Sequence, residues 1–89
     1  MEIILSKQAL KKLELIKKSD YKYASLIKKK LILIKENKIQ LVQLKWFKGL
    51  YKQRVWKYRI IFTFWENYVK IVILERRDLV YSLVDNLFR

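Results

Sequence analysis

Between Glu36 and Glu66 the chain carries seven Lys or Arg and no acid. These are Lys38, Lys45, Lys48, Lys52, Arg54, Lys57 and Arg59, interleaved with Trp46, Phe47, Tyr51, Trp56 and Tyr58. With period two, the stretch LYKQRVWKYRIIF places Leu50, Lys52, Arg54 and Trp56 on one face of a strand and Tyr51, Gln53 and Val55 on the other. A solvated sheet face is the plain reading of such cations, yet Lys52, Arg54 and Arg59 on paired strands repel one another, a cost that points to an anionic ligand. Cations bind phosphate oxygens and aromatic faces stack on unpaired bases, the combination that suits single-stranded RNA. The arginine fork stays charged and donates two parallel hydrogen bonds, so it can hold a phosphorane-like transition state. RNA brings its own nucleophile in the 2′-hydroxyl, leaving a protein to supply a base, an acid and charge stabilisation.

The whole chain allows this chemistry and argues against others. Its 89 residues suffice for one domain, 1–89, with a single core. A formal charge of +13 favours a polyanion: nucleic acid, an anionic membrane or an acidic protein. Without cysteine or histidine, only carboxylates remain for metal binding, so neither a metal-activated water nor a cofactor is expected. The amino terminus MEIILSKQAL has an acid at position 2 and a short apolar run, unlike a signal peptide or a spanning helix, so the expected compartment is the cytoplasm. No segment joins a basic face to a broad free apolar face, and a membrane partner is not expected.

The elements that must position the cations are read from periodicity, since the chain has one Gly and no Pro. Residues 2–5 fit a strand, and Ser6 caps a helix to about residue 18 whose stripe is Ala9, Leu13 and Ile16, flanked by Leu10. Ser19 or Asp20 caps a second helix through about Glu36, with Ala24, Ile27, Leu31 and Ile34 buried. Leu26 and Leu33 lie off that stripe, read first as contacts to the first helix and otherwise as a partner-binding ridge; the lysines at 28–30 read as a solvated face. IQLVQL, 50–55, 58–64 and 68–75 then fit a meander, with Tyr58, Ile60, Phe62 and Phe64 inward and Val69, Ile71 and Ile73 alternating against Lys70, Val72 and Leu74. Residues 78–88 form a short helix or extended tail with Leu79, Leu83 and Leu87 at helical spacing. The class is α+β in two layers: a short N-terminal strand, a helical hairpin on an antiparallel sheet and a short C-terminal helix.

LYKQRV, YRIIF and RRDLVY, in that order, resemble the RelE/ParE superfamily of toxins from toxin–antitoxin systems, over nearly the whole chain. The resemblance implies the fold just described and, on the RelE-like branch, a ribosome-associated endoribonuclease that cuts messenger RNA. It makes Lys52 and Arg54 the paired basic positions and Arg59 the ligand of the scissile phosphate. Arg76 or Arg77 becomes the late basic residue, with Arg77 preferred, and Tyr81 the group that orients or deprotonates the 2′-hydroxyl; apart from the resemblance, Tyr81 reads as a packed aromatic. Lys45, Lys48, Trp56, Lys57 and Arg76 are the further RNA contacts. Implied partners are messenger RNA, the ribosome and an antitoxin that wraps the toxin, acidic where it crosses residues 45–59, in an assembly that extends to a heterotetramer.

Two positions depart from the family pattern. Trp46 and Trp56 stand where members commonly have Gly, so the turn at Trp56 and Lys57 is expected to be wide or bulged, with Trp56 either a stacking platform or a cover for the core edge. Two other functions fit the same residues: a ParE-like inhibitor of DNA gyrase, and a basic module that binds RNA without cutting it.

Overall fold

The computed structural model describes residues 1–88. Strand β1 (Glu2–Leu5) leads into helices α1 (Lys7–Ser19) and α2 (Tyr21–Lys35), followed by β2 (Tyr51–Val55), β3 (Tyr58–Phe64), β4 (Tyr68–Arg76) and α3 (Arg77–Phe88). The sheet order is β1-β4-β3-β2, with β1 parallel to β4 and the other pairs antiparallel. This is the expected α+β architecture.

Ser6 does the capping predicted of it. Its Oγ accepts from the Ala9 N–H at 3.1 Å and donates to the Val72 carbonyl at 2.6 Å, so one hydroxyl starts α1 and ties it to β4. Gln8, two residues on, acts as a substitute strand: its Nε2 donates to the Leu74 carbonyl at 2.9 Å and its Oε1 accepts the Leu74 N–H at 3.0 Å, beyond the point where β1 stops pairing. Asp20 is the single residue between α1 and α2, and its carboxylate lies 3.5 Å from Lys57 Nζ instead of bonding the helix N–H groups. Helix α2 ends in a Schellman arrangement, with Asn37 at φ 57° and the Lys38 N–H bonded to the Leu33 carbonyl.

The sheet buries both faces. Ala9, Leu13 and Ile16 of α1 and Ala24, Ile27, Leu31 and Ile34 of α2 pack with Tyr58, Ile60 and Phe62 on one side, Phe64 being partly buried there. On the other, Val80 and Val84 of α3 join Leu44, Leu50, Ile61 and Ile73 in a second cluster that the two-layer expectation lacked. A β-bulge explains Ile73. Phe62 pairs with Ile71 and Ile61 with Ile73, so Val72 is an extra residue on β4 that reverses the alternation downstream and sends Leu74 to the α1/α2 side. The stripe of α3 is likewise one residue later than Leu79, Leu83 and Leu87: Leu79 and Leu87 are exposed and Leu83 is half-buried.

IQLVQL is not a strand. Residues 36–50 are irregular, meeting β2 in one ladder bridge, Gln43 with Tyr51, and in a bond from Gln53 Nε2 to the Gln40 carbonyl at 2.9 Å. Two successive turns fold the segment back, closed by Phe47 N–H to the Leu44 carbonyl and Leu50 N–H to the Phe47 carbonyl. Both turns carry positive φ at their third residue, Trp46 at 73° and Gly49 at 86°, as type II turns require. The β2–β3 hairpin also departs from expectation. Val55 pairs directly with Tyr58, so Trp56 and Lys57 form a tight two-residue turn, neither wide nor bulged, with Trp56 at φ 55°. Left-handed backbone at a residue bearing Cβ costs about 1 kcal/mol or more each time. Leu26 and Leu33 line an open groove with Val55 and Trp56 at the β2 edge, and Leu26 also packs against the core cluster that includes the α1 stripe.

Candidate nucleic-acid interface

The β2–β3 register sets Arg54 opposite Arg59 and Lys52 opposite Ile61, on the face covered in part by α3. Arg59 also stands opposite Glu75 of β4, which would be its natural counter-ion. The Glu75 carboxylate instead meets Lys12 Nζ at 2.9 Å and accepts the Arg76 N–H at 2.9 Å. Arg59 is held by carbonyls: its Nη1 donates to Trp56 O at 2.8 Å and Tyr58 O at 2.9 Å. The intervening Lys57 carbonyl accepts the Arg77 N–H at 2.7 Å. The hairpin turn thus gives three successive carbonyls to fixing two arginines, one from the strand and one from the first residue of α3.

Burial holds the Arg59 guanidinium below its ordinary pKa, Arg54 and Arg77 push the same way, and Tyr81 opposes them. Arginine titrates so far above neutrality that the group remains a cation. A partly buried cation bonded to neutral carbonyls, with a second arginine across the ladder, is an environment that an anion would relieve.

Three adjoining depressions follow from this geometry. The largest, about 750 Å³, is lined by Arg54, Trp56, Lys57, Arg59, Arg76, Arg77 and Asp78. A second brings Lys52 and Arg54 beside Arg59, with Val42 and Gln53. The third adjoins it through Lys52 and adds Tyr81, Asp85, Lys45 and Trp46. Lys52, Arg54, Arg59, Arg77 and Tyr81 therefore border one continuous trough. Only five of the 21 basic residues are Arg, and four of those, Arg54, Arg59, Arg76 and Arg77, line its largest part.

The remaining predicted contacts are placed unequally. Lys45 lines the trough with its Nζ 5.3 Å from the Trp46 ring. Lys57 borders the trough, but its ammonium is engaged by Asp20 and lies 5.0 Å from the Tyr23 ring. Arg76 is already neutralised, its Nε and Nη2 donating to the two oxygens of Asp78 at 3.2 and 2.9 Å. Lys48 lies in a neighbouring hollow with Trp65, Lys70 and Phe88, which adjoins the trough through Trp46 and Phe47. Trp56 is 67% exposed and borders both the trough and the groove of Leu26, Leu33 and Val55. Sequence reasoning missed Asp78 and Asp85. The signal for Asp85 was its position four residues after Tyr81, one turn along the same helical face.

No protein-family model and no curated protein matches the chain. Solved structures do. The YoeB/ParE toxin from Agrobacterium tumefaciens superposes with a TM-score of 0.78 at 12% identity, over 86% of this chain and 99% of that one. The YoeB dimer from Staphylococcus aureus gives 0.75 at 23% identity, over 86% and 97%. YafQ in the Escherichia coli DinJ–YafQ toxin–antitoxin complex gives 0.71 at 17% identity, over 90% and 96%. The chain shares the fold of these toxins.

Proposed function

We propose that this chain is a RelE-like toxin of a toxin–antitoxin system and an endoribonuclease that cleaves messenger RNA. The observation that carries the reading is the carbonyl-fixed Arg59, faced by Arg54 and joined by Arg77, in a trough that continues to Lys52 and Tyr81. The shared fold with YoeB and YafQ supports it.

Arg59 grips the scissile phosphate, and Arg54 and Arg77 add charge as it passes through a five-coordinate state. The 2′-oxygen forms a bond to the adjacent phosphorus while the bond from phosphorus to the 5′-oxygen breaks. Tyr81 orients the 2′-hydroxyl or, as its phenolate, takes the proton; Lys52 assists through its charge, and a cation of the trough returns a proton to the leaving 5′-oxygen. The products are a 2′,3′-cyclic phosphate and a 5′-hydroxyl. An antitoxin, acidic where it crosses the trough, silences the enzyme by occupying it; solved complexes of YoeB with YefM and of YafQ with DinJ support such a partner.

The test is to map the 5′ ends of a translated message in a cell-free system, with the wild-type chain, with Arg59→Ala, and with ribosomes omitted. Codon-phased cuts that need ribosomes and disappear with Arg59→Ala are expected. An intact message with undisturbed translation overturns the nuclease reading and shifts the proposal to gyrase inhibition on the same fold.

A further inference from the structure

Trp46 and Trp56 share an unusual combination of properties. Each sits at positive φ, 73° and 55°, and each is among the most exposed large apolar residues, at 80% and 67%. The third tryptophan, Trp65, has ordinary backbone and stacks on Tyr68 with ring centroids 6.1 Å apart. The fold does use the backbone conformation at 56, since the turn carbonyls fix Arg59 and Arg77. The backbone does not require an indole there, because glycine would supply the same turn without strain. The chain contains its own control at the other site. In the two successive turns of the 44–50 segment the same left-handed position is held once by Gly49 and once by Trp46. Gly49 has open space around it, so room alone does not decide which residue stands there.

The two indoles also mark the two ends of the cationic trough. Trp56 lines it beside Arg54, Arg59 and Arg77, and Trp46 lines it beside Lys52 and Tyr81. We propose that Trp46 and Trp56 are base-stacking platforms for single-stranded RNA, holding an unpaired base at each end of the trough with the scissile phosphate on Arg59 between them. The proposal rests on the RNA-cleaving reading and assigns how the substrate is held. Indole faces stack on any base and exclude the rigid duplex, in which bases are not free to splay.

The measurement is binding of a labelled 2′-O-methyl octanucleotide, which cannot be cut, to the wild type, Trp46→Gly, Trp56→Gly, Trp46→Phe and Trp56→Phe, with thermal melts of each. Each Gly variant is expected to melt no lower than the wild type and to bind the oligonucleotide about tenfold more weakly, while each Phe variant keeps most of the affinity. Inorganic polyphosphate, which has charge but no bases, should bind all five proteins alike. Tryptophan fluorescence of the wild type should be quenched by the oligonucleotide and left unchanged by polyphosphate, a readout that needs no variant to fold. Gly variants that bind the oligonucleotide as tightly as the wild type overturn the proposal. So does an equal loss of oligonucleotide and polyphosphate affinity, which would make the tryptophans supports for the arginines. Trp-dependent binding in a protein that leaves translated messages intact would defeat the nuclease reading and leave the platforms standing.

Discussion

Arg54 and Arg59 face each other directly across the β2–β3 ladder, and the acid opposite Arg59 on its other side, Glu75, is drawn off by Lys12. Like charges in register on adjacent strands destabilise a sheet by roughly 0.2–1 kcal/mol. Arg54→Thr removes that repulsion and puts a β-branched residue in a strand position, so it should stabilise the fold by about 0.5 kcal/mol in low salt. Added salt screens the repulsion, and the advantage should shrink as ionic strength rises. Urea melts of both proteins at two salt concentrations check this; an Arg54→Thr protein less stable than the wild type at low salt would contradict it.

The sheet edge that carries the late arginines depends on one amide. Gln8 satisfies both the N–H and the C=O of Leu74, two residues before Arg76 and past the last β1 pairing. Gln8→Ala leaves these partly buried backbone groups without partners and should cost about 2 kcal/mol. Gln8→Glu keeps an acceptor for the N–H but sets an oxygen against the Leu74 carbonyl, and should be no better than alanine. Denaturant unfolding of both variants against a neighbouring exposed control, Lys7→Ala, reads the difference.

Periodicity in the sequence suffices for α1, α2, the β2–β3 pair and the inward row Tyr58, Ile60, Phe62, because each is a local pattern repeated over two or more turns or pleats. It fails where a single residue changes the count. The extra Val72 moves Ile73 to the opposite face, and nothing in an alternating apolar run distinguishes a bulge from a straight strand. IQLVQL is apolar enough for a strand, yet the left-handed turns at Trp46 and Gly49 return the chain before a ladder forms. The same limit applies to the site. Lys52, Arg54 and Arg59 could be placed on one face by counting, but the pairings that remove Lys57 and Arg76 from the free cations, with Asp20 and Asp78, depend on folded side-chain positions. The expectation for the Trp56 turn rested on the reluctance of L-residues to take positive φ, and the fold overrides that reluctance.

Tyr81 is exposed on α3 and lines the trough with Lys52, so its hydroxyl can be removed at little structural cost. Tyr81→Phe should lower single-turnover cleavage by about a hundredfold, the typical contribution of a positioned proton-transfer group, while the melting temperature stays within a degree or so. The products of wild-type cleavage should end in a 2′,3′-cyclic phosphate and a 5′-hydroxyl, as attack by the 2′-oxygen requires. Unchanged cleavage by Tyr81→Phe would remove Tyr81 from proton transfer and return it to a packing role.

Arg76 and Arg77 are neighbours in sequence and both line the largest part of the trough, but they differ in what already holds them. Arg76 makes a two-pronged bond to Asp78, whereas among the described residues Arg77 is tied through its backbone N–H to the Lys57 carbonyl, and its guanidinium adds to the field at Arg59. A cation that binds phosphate releases counterions, and each contact steepens the fall of log K with log salt by about 0.7 for a single strand. Arg77→Ala should therefore flatten that slope by about 0.7 for a 2′-O-methyl oligonucleotide, and Arg76→Ala by clearly less, because its charge is balanced before RNA arrives. Asp78→Asn then serves as the cross-check. Freeing Arg76 from its carboxylate should steepen the slope, and the gain should vanish when Asp78→Asn is combined with Arg76→Ala. Equal slopes for Arg76→Ala and Arg77→Ala would mean that RNA displaces Asp78 and recruits both arginines to the phosphate backbone.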